Sequence, residues 1–100
     1  MIRHIVLFKL KEFSSEVEKN DVLEKVLMNF RSLIGEIPQI RQYHVERDIS
    51  YGQGSFDVVI DSNFDSLEDL KAYQDHPAHK FAVAQNKQLC SHKAVIDYKP

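Results

Sequence analysis

Only one cysteine, Cys90, stands among the 100 residues. A disulfide framework is therefore excluded, which fits a reducing compartment. Long apolar runs are missing as well: the longest falls far short of the ~20 residues that a membrane-spanning helix needs. The apolar opening Ile2-Arg3-His4-Ile5-Val6-Leu7-Phe8 is followed by no small-residue cleavage site, so it reads as a strand and the protein as cytoplasmic. Runs of like charge are absent and the net charge is −2, which argues against an electrostatic tail and against a nucleic-acid binder with a basic face. No Cys pair or His-Glu-x-x-His run offers metal-ligand spacing, and Pro77 disturbs the helical geometry that would bring His76 and His79 onto one face. Gly52-Gln53-Gly54 lacks the strand-to-helix setting of a phosphate loop. There is no nucleophile elbow. Cys90 falls near a helix C-terminus, which does not favour a thiolate, and is expected to be inert.

Hydrophobic residues make up 43% of the chain and charged residues 28%, values near the soluble globular norm that leave no reason to expect disorder. Repeats, low-complexity segments and linkers are absent, so residues 1–100 are expected to form a single domain with one core.

The first strand spans about Ile2 to Leu10 and is apolar on both faces, with His4, Val6, Phe8 and Leu10 on one and Ile5 and Leu7 on the other. A strand with one wet face should alternate cleanly, so this one belongs in the sheet centre. Ser15 with Glu18 forms a capping box, and Leu23, Val26, Leu27, Phe30, Leu33 and Ile34 then recur at helical spacing. Gly35 suits the helix C-cap and Pro38 prevents continuation. The second strand, about Ile40 to Asp48, is charged enough for a sheet edge. A glycine-bearing loop over Ile49 to Gly54 leads to a third strand, Ser55 to Asp61, with Phe56, Val58 and Ile60 opposite Asp57, Val59 and Asp61.

Asp65 with Glu68 suggests a second N-cap pair, opening a helix over about Ser66 to Asp75. His76-Pro77 breaks that helix, and a further helical piece runs from Pro77 to about Leu89 with Phe81, Ala84 and Gln88 aligned. The last strand, Lys93 to Tyr98, sets Ala94, Ile96 and Tyr98 against Val95 and Asp97. The order β-α-β-β-α-β implies an α+β, ferredoxin-like, four-stranded antiparallel sheet with the first and third strands central. With both helical segments on one face, the other face stays bare. The simplest cover is a second copy in a two-fold homodimer, closing a barrel with a small interior.

Five histidines are present, and three of them draw attention. His76 and His79 sit at the kink three and six residues after Tyr73. Structurally, His76 caps a helix and His79 faces water. Functionally, His79 acts as a base near neutral pH and Tyr73 beside it donates a hydrogen bond to a developing oxyanion, a reading that needs His79 or Tyr73 to point toward the cavity. His4 in an apolar strand reads either as a satisfied core residue or as a polar group on a pocket wall. Asp57 orients His4 if the strand register brings the two onto one face.

Three segments together resemble the stress-responsive A/B barrel (dimeric α/β barrel) family. They are Ile2-Arg3-His4-Ile5-Val6-Leu7-Phe8-Lys9-Leu10, Gly54-Ser55-Phe56-Asp57-Val58-Val59, and Leu70-Lys71-Ala72-Tyr73-Gln74-Asp75-His76-Pro77-Ala78-His79. The resemblance spans essentially the whole chain and implies a ferredoxin-like homodimer whose members mostly have no assigned activity. The reading that follows is a protein that binds a small organic ligand in the barrel cavity, with no cofactor, metal, nucleic-acid or membrane partner expected. Ligand contacts are then expected at His4, Asp57 and His76. The alternative that the resemblance implies is a cofactor-independent enzyme of the polyketide-cyclase kind, in which Tyr73 and His79 carry an aldol closure and His4 lines the pocket. The cyclases have a histidine on the third strand where this chain has Asp57, which changes the pocket's charge and its ligand. A related dimeric-barrel monooxygenase is a more distant match, since the chain has no tryptophan.

Overall fold

Alternation along the first strand decides the layout. The computed structural model describes residues Met1–Pro100, and β1 (Ile2–Leu10) turns Ile2, His4, Val6, Phe8 and Leu10 into the core. The chain then runs through α1 (Glu16–Arg31) with a 3-10 turn at Ser32–Gly35, β2 (Gln42–Arg47), β3 (Val58–Phe64), α2 (Leu67–Asp75), α3 (Pro77–Lys87) and β4 (Cys90–Tyr98). The strands form one sheet in the order β2-β3-β1-β4, every neighbouring pair antiparallel. β1 and β3 are central, as their apolar content implied. This is the ferredoxin-like arrangement.

The helices cover the side of the sheet that bears His4, Val6 and Phe8. Val22, Leu23, Val26, Leu27 and Phe30 of α1 supply most of the apposing surface, and the Phe8 and Phe30 rings stack with centroids 5.5 Å apart. The opposite face carries Ile5, flanked by Asp61 and Ile96, and Leu7, flanked by Val59 and Ala94. Directly opposed residues share a face, so Ile5, Leu7, Val59, Ala94 and Ile96 form an apolar band, with the Asp61 carboxylate beside it, that no element of the chain covers. Arg3 closes one end of it with a bidentate pair to Asp61 at 2.9 and 2.5 Å.

Several element boundaries differ from the sequence reading. β3 starts at Val58, not Ser55, because the chain is still turning at Gly54, whose φ is +85°. It continues to Phe64, since Ser62, Asn63 and Phe64 find partners on β1. β4 starts three residues early, at Cys90, where a register shift between Lys9 and Leu10 lets Cys90 pair with Leu10. Ser66 rather than Asp65 caps α2, accepting from the Asp69 amide at 3.1 Å, while Asp65 holds Arg41. The Ser15 cap forms as expected, yet the Glu18 carboxylate takes the Ser14 hydroxyl in place of the reciprocal amide.

Burial selects one face of α3. Ala78, Ala82 and Asn86 turn inward, with Ala82 and Asn86 both 3% exposed, whereas Phe81, Ala84 and Gln88 face water. The close approach of α3 to the sheet suits small residues on its inner side, so the phenyl ring of Phe81 goes outward.

Candidate functional site

His4 is the polar interruption in the core-facing row of β1. The β1–β4 register sets Asp97 directly across from it, and the His4 Nδ1–H donates to the Asp97 carboxylate. The imidazole is 4% exposed and stands edge-on to Phe64 and Tyr73, with centroids 6.3 and 6.2 Å away. Tyr73 reaches this point from α2, buried to 1% exposure. Its hydroxyl meets that of Tyr43 on β2 at 2.8 Å.

The break at His76-Pro77 brings the third member in. His76 ends α2 with its backbone N–H on the Tyr73 carbonyl, and its Nδ1 accepts from the Ala78 amide at 3.0 Å, opening α3. The new helix direction returns His79 over the Tyr73 ring, centroid to centroid 4.4 Å. His79 Nδ1–H donates to the Gln74 carbonyl at 3.2 Å, which leaves Nε2 as the acceptor.

Burial pushes the His79 pKa down; the Gln74 carbonyl opposes this, and Lys93, His4 and His76 reinforce it. Burial also pushes the Tyr73 phenol up to about 12, partly offset by the hydrogen bond with Tyr43, and it raises Tyr43 further. At neutral pH the cluster therefore presents a neutral imidazole and two protonated phenols. Such a group can donate to a carbonyl oxygen and accept from a hydroxyl.

The His79 shift has a pH signature. In the unfolded chain this imidazole titrates near 6.5, and in the folded chain lower. Between the two values the unfolded state binds more protons, so stability falls as pH drops below about 6.5. His79→Gln is expected to flatten that limb in urea titrations from about pH 7.5 down to about pH 5. An unaltered slope would show that the imidazole is not desolvated.

Not all expected residues converge. Asp57 does not orient His4: the β1–β3 register puts Ser62 opposite His4, and Asp57 lies beyond the far end of the ladder. There its carboxylate accepts from the Leu10 amide at 2.7 Å and pairs with Lys19 at 3.5 Å. His76 serves as a helix cap and lines a separate groove between α1 and α3. The expected position of the cluster also needs correction. His4, Tyr73 and His79 lie between the sheet and its own helices, not in the interior between two copies, because alternation groups His4 with Val6 and Phe8. The surface clefts of about 210–570 Å³ are lined by other residues than these three.

Three members of the cluster were not singled out from the sequence. Tyr43 alternates with Val45 on β2, and Asp97 with Val95 on β4, so both signals were present as strand periodicity. Phe64 fell outside the expected end of β3. No three His, Cys, Asp or Glu side chains gather in a metal-holding group. No helix is long and apolar enough to cross a membrane.

Comparison with known proteins adds a family. The model described as Stress responsive A/B Barrel Domain matches residues 2–100. An uncharacterized protein of Streptomyces coelicolor is 36% identical over 99 residues, covering 99% of each chain. The stress-response A/B barrel domain-containing protein HS1 of Arabidopsis thaliana is 29% identical over 103 residues, covering 99% of this chain and 89% of its own. Among solved structures, a dimeric protein of unknown function with a ferredoxin-like fold from Bacteroides fragilis superposes with a TM-score of 0.88 at 30% identity, covering 99% of this chain and 95% of its own.

Proposed function

This chain belongs to the stress-responsive A/B barrel domain family, and we propose that it binds a small neutral organic molecule bearing a carbonyl or phenolic oxygen. The site is the sheet–helix seam where His4, Tyr73 and His79 meet. One observation carries this reading: two imidazoles and two phenols converge in a core that is otherwise apolar. Few, convergent polar groups on apolar walls are what orient a small ligand. The unionised state of His79 and Tyr73 favours a neutral partner. The ligand enters by displacement of the α2–α3 kink at His76-Pro77, since the seam is packed shut in the closed protomer.

The working form in this reading is a cytoplasmic homodimer. The Bacteroides relative is described as dimeric, and the bare band around Ile5, Leu7, Val59 and Ile96 supplies a matching face on this chain. Two such bands pressed together account for the exposure of Ile96, 60% in the lone protomer.

The test is a thermal-shift and mass-spectrometric screen with alkylphenols and β-diketones. Ligands are expected to raise the melting temperature of the wild type. The rise, taken against each variant's own baseline, should vanish in His79→Ala and shrink in Tyr73→Phe. Equal shifts in all three proteins would remove the ligand from this seam.

A further inference from the structure

We propose a second binding site, for a small organic carboxylate, in the cleft between the C-terminal half of α3 and the start of β4. The cleft holds about 230 Å³. Its floor is apolar, formed by the buried Phe8 ring and by half-buried Val83. Its charged groups are of one sign: Lys87 and Lys93 stand at it, and no carboxylate lines it. Neither lysine takes part in an ion pair, although seven pairs form elsewhere on the protein. Asp57, the acid that bears on Cys90, is already engaged by Lys19 and the Leu10 amide.

Asn86 is the group that marks this cleft as built for a ligand. Its side chain lines the cleft while the residue is 3% exposed. The Oδ1 atom accepts from the Cys90 thiol at 3.4 Å. The Nδ2 group, which carries two donors, makes no hydrogen bond within the chain. The amide is not sealed in the core, so those donors are open to a ligand at the cleft. An incoming carboxylate supplies the missing acceptor, and the two lysines balance its charge. The Cys90 thiol, pushed up to about 11 by burial, adds no negative charge to compete. Ser91 and His92 at the rim are bonded to each other at 2.8 Å.

Size limits the ligand. At ~30 Å³ per water, the space equals about eight waters, room for one ring or a short chain with a single carboxylate head. This site is distinct from the His4 cluster and does not rest on it. Phe8 is four residues beyond His4 on the same strand, roughly 13 Å away at ~3.3 Å per residue. A ligand of this size spans one site, not both.

The test is an amide chemical-shift titration of the full-length chain with benzoate and hexanoate, using benzamide and inorganic phosphate as comparators. Benzoate is expected to saturate, shifting the amides of Val83, Asn86 and Lys93 while those of Tyr73 and His79 stay in place. The Lys87→Met/Lys93→Met double variant changes only exposed side chains and should bind at least about tenfold more weakly, the size expected for losing one modest charge contact. Asn86→Asp should abolish binding, and the lysine variant keeps the test decisive if that substitution does not fold. Benzamide binding as tightly as benzoate, or phosphate as well as either, would overturn the carboxylate assignment. Undiminished binding in the lysine variant, shifts centred on Tyr73 and His79, or no saturation at all would overturn the site.

Discussion

Tyr73→Ala is expected to cost about 3–5 kcal/mol of folding stability, a drop in melting temperature of the order of 15 °C or more for a chain of this size. The reason is position. Tyr73 is 1% exposed and packs at once against Phe64 at 4.9 Å, His79 at 4.4 Å and Tyr43 at 6.0 Å. Truncation leaves a cavity bounded by aromatic rings anchored on two strands and a second helix, which cannot all collapse into it. Urea unfolding at neutral pH measures the change.

The milder substitutions separate packing from hydrogen bonding. Tyr73→Phe keeps the ring and orphans the Tyr43 hydroxyl, and Tyr43→Phe does the reverse; each should cost about 1–3 kcal/mol. The double variant removes both hydroxyls and leaves neither unpaired. Its cost is expected to fall below the sum of the two by about 0.5–2 kcal/mol. Strict additivity would mean that the 2.8 Å contact between the hydroxyls contributes nothing beyond the rings.

Leu7→Lys is expected to convert the proposed dimer to a monomer. Leu7 lies near the middle of the band on the uncovered sheet face, between Val59 and Ala94. In a two-fold dimer the substitution appears twice, so two ammonium groups enter one interface built on an apolar band. Raising the dissociation constant by about a hundredfold requires only ~2.7 kcal/mol, less than the desolvation of two charges. Sedimentation velocity at micromolar concentration reads the result directly. A wild type that sediments as a lone subunit would end the homodimer reading. A Leu7→Lys protein that stays dimeric would move the interface to another surface. Tyr73→Ala and Leu7→Lys also discriminate between their sites, since Leu7 points away from the Tyr73 cluster.

The legibility of the chain followed the range of each interaction. The Ser15 cap, the α1 stripe and the break at His76-Pro77 are set within one or two turns, and each was readable from spacing. α3 shows where spacing runs out. Its residues permit two stripes, Phe81-Ala84-Gln88 and Ala78-Ala82-Asn86, and hydrophobicity alone favours the one with the phenylalanine. Close packing against the sheet selected the other, which buried Asn86 and created the cleft beside it.

The site divides in the same way. That Tyr73 and His79 fall on either side of a proline break, and that His4 interrupts an apolar strand, belong to the sequence outright, as does the β-α-β-β-α-β order with β1 and β3 central. Which carboxylate meets His4 was decided only in three dimensions, by a register that pairs position 4 with Asp97 across β4 and leaves Asp57 at the other end of the sheet. The side of β1 that the helices cover was decided there too, and with it the enclosure of His4, Tyr73 and His79 within the protomer. A period of two tells which side chains share a face. It carries no information on which face is covered or how far one strand slides along the next, because both depend on packing between segments distant in the chain.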